Sequence, residues 1–261
     1  LLLLGPQRPE PNLESVLDSL PGSGPAVTVT AGWRHDEAFD EALQNVVGAN
    51  ALSLPLYHWY EELAGTEPVL QWRARQARIR RLKRLHQTRL HPALDAVKRL
   101  LPETAEDPEL VRPQLRWALD QVRAIDEQFL EQSLTVAEEH PVTLRPWEHP
   151  AVAPYRTRVL EAVRGARALA IAGGHVAVLR NRMFFFGLHD MLKPARDAGT
   201  AIVCWSAGAM AMTERIVMFY DDPPDGPTHP ELLDVGFGLV DRPVTFLESG
   251  LGGGRLVRRG S

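Results

Sequence analysis

The chain has 261 residues, of which 44% are hydrophobic and 24% charged, with a formal net charge of -4. This is enough apolar material for one large domain or a domain with an insertion, and the balance points to neither nucleic acid nor a membrane surface as partner. A single cysteine, Cys204, excludes an internal disulfide framework and fits a reducing compartment, the cytoplasm.

In chain order, Leu1–Leu4 is an apolar run closed by Gly5-Pro6, too short to span a bilayer and without the charged start of a signal peptide. It reads as a buried strand already under way where the chain begins. Residues 12–20 carry Leu13, Val16, Leu17 and Leu20 at helical spacing. After the turn cluster Pro21–Pro25, Ala26–Thr30 is rich in β-branched residues and reads as a strand. It ends at Ala31-Gly32-Trp33-Arg34, with Asp36 placed to cap the next helix. Strand, helix, strand, helix is the order of a parallel sheet with crossover helices.

Residues 54–139 contain no convincing strand. Val111, Leu115, Ala118, Val122, Ile125 and Phe129 alternate spacings of four and three, a heptad seam on a long helix. Ile79, Leu82, Leu90, Ala93, Val97 and Leu100 make a looser stripe before it, with Pro92 as a candidate kink and Pro102 with the acidic stretch 103–109 as the break. The expectation is a helical hairpin inserted at 54–140. Arg73, Arg75, Arg78, Arg80, Arg81, Lys83, Arg84 and Arg89 crowd one helix. Such a stripe can bind phosphates. The negative total charge favours a solvated face paired with Asp120, Asp126, Glu127 and Glu131, with no nucleic acid bound.

Residues 141–154 form a proline-rich linker, followed by a helix to about Arg164. Ala168–Ala172 reads as a strand ending in Gly173-Gly174-His175, and a helix covers 187–198. Ala201–Trp205 is a short apolar strand that runs into Ser206-Ala207-Gly208. A serine between strand and helix, with small residues behind it, has the form of a nucleophile elbow. Arg215–Tyr220 reads as a further strand ending at Asp221-Asp222, and a last strand is expected near Val244–Leu247. The glycine-rich stretch from 248 to 261 reads as a flexible tail. The expected α/β domain is therefore discontinuous, 1–53 with 141–247, and its strands should form one sheet.

Three features should meet at the carboxyl ends of neighbouring strands, where open α/β sheets bind ligands: Gly173-Gly174-His175, Ser206-Ala207-Gly208 and Asp221-Asp222. Ser206 is the candidate nucleophile. The amides of Ala207 and Gly174 are candidate oxyanion donors, and Asp221 or Asp222 a carboxylate that orients a base. The plain alternative for each is an ordinary βα turn or a loop acid.

Ala172-Gly173-Gly174-His175, Trp205-Ser206-Ala207-Gly208-Ala209 and Asp221 resemble the motifs of the peptidase E and cyanophycinase family of serine peptidases. That family lies within the class I glutamine amidotransferase-like superfamily, whose fold is an open, mostly parallel sheet flanked by helices. The resemblance covers about residues 166–245. It implies hydrolysis of peptide bonds next to acidic residues, a small acidic peptide as substrate, and no metal or other cofactor. Arg34 and His175 are the nearest candidates to hold the acidic group. The helical insertion is outside the family pattern. So is the absence of a histidine on the last strand, after Gly238-Leu239-Val240, where the family carries its base. Either the base is another residue, such as His175 or His229, or the stretch shown lacks it, or the chain is a non-catalytic relative that binds partners through the hairpin. An amidotransferase reading needs cysteine at the elbow, and Cys204 lies two residues early. The sequence leaves the oligomeric state open.

Overall fold

The computed structural model describes residues 1–7, 11–48, 50–139, 144–218 and 231–240. Asp221, Asp222, His229, the strand expected near Val244–Leu247 and the tail expected from 248 to 261 lie outside the described residues.

Five strands make one parallel sheet: β1 (Leu2–Leu4), β2 (Ala26–Val29), β3 (Leu52–Ser53), β4 (Ala168–Ile171) and β5 (Ala201–Trp205), in the order β1-β5-β4-β2-β3. Register is continuous across the centre, with Ala26 opposite Ala168 and Ala168 opposite Ala201. β2 and β4 are buried at every residue. Strands covered on both faces can be apolar throughout, and these are. Side chains alternate between faces. Ala26, Ala168, Ala170, Val203 and Trp205 pack with Leu13 and Leu17 of α1 (Leu13–Asp18) and with Leu43 and Val47 of α2 (Glu41–Val47). Val27, Val29, Leu169, Ile171, Ile202 and Cys204 fill the other face.

Two expectations are corrected, and one strand is added. Arg215–Met218, here β6, does not join the main sheet; it pairs with β7 (Glu231–Val235) in a separate two-stranded sheet. β3 was not anticipated, because two exposed residues leave no periodic signal. Asp36 caps no helix: it lies inside the 3₁₀ segment Ala31–Ala38, and Asp40 occupies the N-cap of α2, where its carboxylate accepts from Gln44 Nε2 at 2.7 Å.

The chain divides into two compact units, Leu1–Val69 with Arg145–Val217 and Leu233–Ser261, and Leu70–Leu144 with Met218–Leu232. The first holds the sheet, α3 (Leu56–Glu62), α6 (Ala153–Arg164), α7 (Val176–Phe185), α8 (His189–Asp197) and α9 (Ala207–Ala211). α7 is buried through Val176, Leu179, Arg180, Met183 and Phe185. Arg180 ties β7 to it, donating from Nε to the Val235 carbonyl at 2.5 Å and pairing with Asp234 at 3.1 Å.

The second unit is built on α4 (Glu67–Glu103) and α5 (Pro108–Glu138), and Asp107 caps α5 by accepting from the Leu110 amide at 3.1 Å. Leu90, Ala118 and Phe129 are buried in it, and the His86 ring lies 4.6 Å from that of Phe129. The basic stripe is not uniformly solvated. Arg75 is buried over the Trp72 ring at 4.7 Å, Arg78 pairs with Glu139, and Arg89 donates to the Gln128 amide oxygen. Two of the expected acids bind elsewhere: Asp126 takes His86 at 2.9 Å, and Asp120 takes Arg123 of its own helix at 2.8 Å. Among the described residues no helix is long and apolar enough to cross a membrane.

Candidate active site at the carboxyl edge of the sheet

β5 stops at Trp205, α9 starts at Ala207, and a single residue makes the turn. That residue, Ser206, has φ 49° and ψ -124°. An L-residue at this φ is strained, at a cost of about 1–3 kcal/mol, and such strain persists only where the surroundings impose it. The surroundings are visible. A Cβ on Gly208 would stand 2.4 Å from the Ile171 carbonyl oxygen, and one on Gly173 would stand 2.8 Å from Ser206 Cβ. α9 is therefore pressed against the end of β4, and only small residues fit on either side.

The neighbouring turn is equally close. Gly174 has φ 104°, and a Cβ there would meet the Gly32 carbonyl at 2.6 Å. The His175 amide donates to the Gly32 oxygen at 2.8 Å, and the Ser206 amide donates to the Leu4 oxygen at 3.3 Å. The ends of β2, β4 and β5 thus form one ledge of backbone, with Gly174 exposed and Ser206 half-buried on it. The amide of Ala207 is the first of its helix and has no intrahelical acceptor. Nor does the Gly174 amide donate to another group among the described residues. Both N–H groups therefore remain available at the ledge.

His175 sits at the N-cap of α7 and is exposed; its Nδ1 accepts from the Val178 amide at 3.4 Å. That assignment places the ring proton on Nε2, so in this geometry His175 offers a donor to solvent. Arg34 is exposed in the 3₁₀ segment after β2, with φ 61° and ψ -122°. Its guanidinium makes no hydrogen bond or ion pair among the described residues. The strand that precedes Asp221-Asp222 in the chain, β6, lies in the other sheet, and the two aspartates themselves are outside the described residues. Cys204 is fully buried, and burial pushes its thiol far above the ordinary range, which leaves it no thiolate for amidotransferase chemistry.

Sequence reasoning missed Glu37. It is 2% exposed, and its carboxylate accepts from the Tyr57 amide at 3.2 Å, the His58 amide at 3.0 Å and His58 Nδ1 at 2.9 Å. Burial raises its pKa, and the three hydrogen bonds oppose that shift without cancelling it. This carboxylate fixes the 3₁₀ segment to the start of α3, and His35 Nε2 lies 3.2 Å from Tyr57 Oη beside it. No local pattern marks Glu37, since its partners lie twenty residues on. Among the described residues no three His, Cys, Asp or Glu side chains gather to hold a metal ion. Compared with known proteins, the chain matches no family model, no curated sequence and no solved structure.

Proposed function

We propose that the chain is a serine hydrolase of the peptidase E type that cleaves peptide bonds next to acidic residues, with the sheet arrangement of class I glutamine amidotransferase-like proteins. The observation that carries this reading is the backbone of Ser206, φ 49° and ψ -124° at a strand-to-helix turn. Holding a serine in that conformation has a cost, and presenting its hydroxyl at the sheet edge is what the cost obtains. In the reaction Ser206 Oγ attacks the scissile carbonyl carbon. The carbonyl oxygen becomes an oxyanion facing the amides of Ala207 and Gly174, the C–N bond then breaks, and the amine leaves with the proton taken from Ser206; a water then attacks the acyl carbon, the ester bond to Oγ breaks, and the acid leaves as Ser206 Oγ regains a proton. The resemblance gives Asp221 the role of orienting the base. His175 and Arg34 supply the donor and the cation for an acidic side chain. A single cysteine supports a reducing compartment, the cytoplasm, for this activity.

The test is acylation by a fluorophosphonate reagent read by intact mass, beside hydrolysis of an Asp-Xaa dipeptide. One adduct on the wild type, none on Ser206→Ala, and loss of hydrolysis in that variant are expected. Hydrolysis that survives Ser206→Ala would end this reading. A second reading, a non-catalytic relative that binds partners, is favoured by one observation: the stretch Val244–Leu247, where the resemblance expects the base, carries no histidine. No adduct and no hydrolysis by the wild type would decide for it.

A further inference from the structure

We propose that the outward face of α4 around Arg80, Arg81 and Arg84 binds the acidic stretch of a polypeptide substrate. The proposal rests on the hydrolase reading above for its choice of ligand, and on the helix for its place. From 68 to 94 α4 carries eight arginine or lysine residues and no acid. Some of these hold the unit together: Arg75 lies buried over the Trp72 ring, Arg78 pairs with Glu139, and Arg89 donates to Gln128. Arg80, Arg81 and Arg84 are exposed and make no hydrogen bond or ion pair among the described residues. Two acids of α5 expected to meet the stripe bind elsewhere, Asp126 to His86 and Asp120 to Arg123. Like charges one turn apart destabilise a helix, so Arg80 and Arg84 carry a cost that a bound anion relieves.

At about 100° per residue the three arginines share a sector about 100° wide, turned away from the buried Trp72, His86 and Leu90. Ala77 and Thr88 fall in the same sector and are exposed, and their short side chains leave room for a ligand to lie along the helix. The chemistry selects the ligand. A guanidinium is planar and pairs with a carboxylate through two parallel hydrogen bonds. Arg80 and Arg84 stand about 6 Å apart along the helix axis. Alternate side chains of an extended chain stand about 6.6 Å apart, so an Asp-Xaa-Asp run meets both. Nucleic acid fits less well. Trp72 is the one Trp, Tyr or Phe of α4 and it is buried, so no such ring is offered for a base to stack on. α4 carries ten cations and three acids in a chain of net charge -4, so the rest of the chain is negative and repels a long polyanion that overruns the helix. A membrane surface fits less well too, because the apolar side of α4 that would insert is already buried.

Fluorescence anisotropy tests this, with the full chain carrying Ser206→Ala and a fluorescein-labelled peptide of repeated Asp-Gly. Binding that weakens as salt is raised is expected, and the Asn-Gly peptide of the same length should not bind. Arg80→Gln with Arg84→Gln should raise Kd about tenfold, with an unchanged far-ultraviolet circular dichroism spectrum. Arg112→Gln with Arg116→Gln removes the same charge from exposed positions on α5 and should leave Kd unchanged. No binding, equal binding of the Asn-Gly peptide, or equal weakening by the two double variants would each overturn the proposal. So would tighter binding of an oligothymidylate of the same charge, or of vesicles containing phosphatidylserine, either of which would assign the face to phosphate. Binding is read without turnover, so the two readings fail separately. Dipeptide hydrolysis by the wild type with no peptide bound removes α4 from substrate capture. Peptide binding by a chain that hydrolyses nothing removes the hydrolase and keeps the site.

Discussion

Arg34 and Ser206 share one backbone conformation, φ 61° with ψ -122° and φ 49° with ψ -124°, and among the described residues they are the only non-glycine positions at positive φ. They follow β2 and β5, strands separated in the sheet by β4. Ser206 lies where β5 gives way directly to α9, and Arg34 lies at a kink inside the 3₁₀ segment that follows β2. Strain of this kind is costly for any residue with a Cβ, so glycine would be the stable choice at each position.

That contrast separates strain from chemistry at Ser206. Glycine relieves the backbone and alanine does not, while both remove the hydroxyl. Ser206→Gly is expected to gain about 1 kcal/mol or more in denaturant unfolding over Ser206→Ala, and both should lose fluorophosphonate labelling. If the two variants prove equally stable, the turn is not strained and the elbow reading loses its main support.

At Arg34 the side chain is the quantity of interest. Arg34→Met keeps the length and removes the charge. KM for an acidic dipeptide should rise much more than KM for a neutral one, with thermal stability unchanged. Equal losses for both substrates would remove Arg34 from substrate selection.

Gly208 reports on how tightly α9 is pressed against β4. Its added Cβ would stand 2.4 Å from the Ile171 oxygen and 3.0 Å from the Ala172 oxygen, both backbone atoms that cannot step aside. Gly208→Ala should destabilise by about 1–3 kcal/mol and lower the labelling rate at Ser206, because the elbow moves with the helix. Gly199, where an added Cβ meets nothing within 4 Å, has φ 97°, so Gly199→Ala tests backbone strain alone. A Gly208→Ala variant as stable and as reactive as wild type would contradict the packing described.

The central strands and the elbow were legible in the sequence because their signals are local. β2, β4 and β5 are short apolar runs bounded by turns, and Ser206-Ala207-Gly208 follows its strand directly. α7 was not legible: its buried residues include Arg180 beside Val176, Leu179, Met183 and Phe185, so no purely apolar stripe marks it. The departure of β6 from the main sheet was hidden as well. A strand's composition says that it is covered, not which strand it pairs with. Glu37 was invisible for the opposite reason. Its meaning lies in the amides of Tyr57 and His58, which tertiary structure alone brings to it.

Glu37 makes a pH prediction whose sign depends on burial outweighing hydrogen bonding. Its folded pKa is raised above 4.5, chiefly by desolvation and against the pull of His58 and the two amides. The folded state therefore holds the proton more tightly than the unfolded one. The stabilisation from this is complete below 4.5 and is lost as pH rises through the folded value. The stability difference between wild type and Glu37→Gln, from urea unfolding, should shift against the wild type as pH rises from 4.5 through the raised folded value. A difference that is constant, or that grows in favour of the wild type, would mean the hydrogen bonds to the ionised carboxylate dominate.

His189 carries the opposite sign. Its ring stacks on Phe184 at 4.3 Å and 16°, faces Phe237 at 5.8 Å, and lies 3.1 Å from Asp190. Burial lowers its pKa below 6.5. The charges of Arg180 and Arg156 push the same way, and Asp190 opposes them. The unfolded chain thus takes up the proton first as pH falls. The stability contributed by the neutral ring is present above about 6.5 and is lost as pH falls through the lowered folded value. As pH falls from above 6.5 through the lowered folded value, unfolding free energy of the wild type should therefore decline more steeply than that of His189→Phe, which keeps the stacking and cannot titrate. Asp190→Asn removes the group that favours the charged ring and should steepen the decline further. Parallel pH profiles for wild type and His189→Phe would show that the ring is not held neutral by the fold.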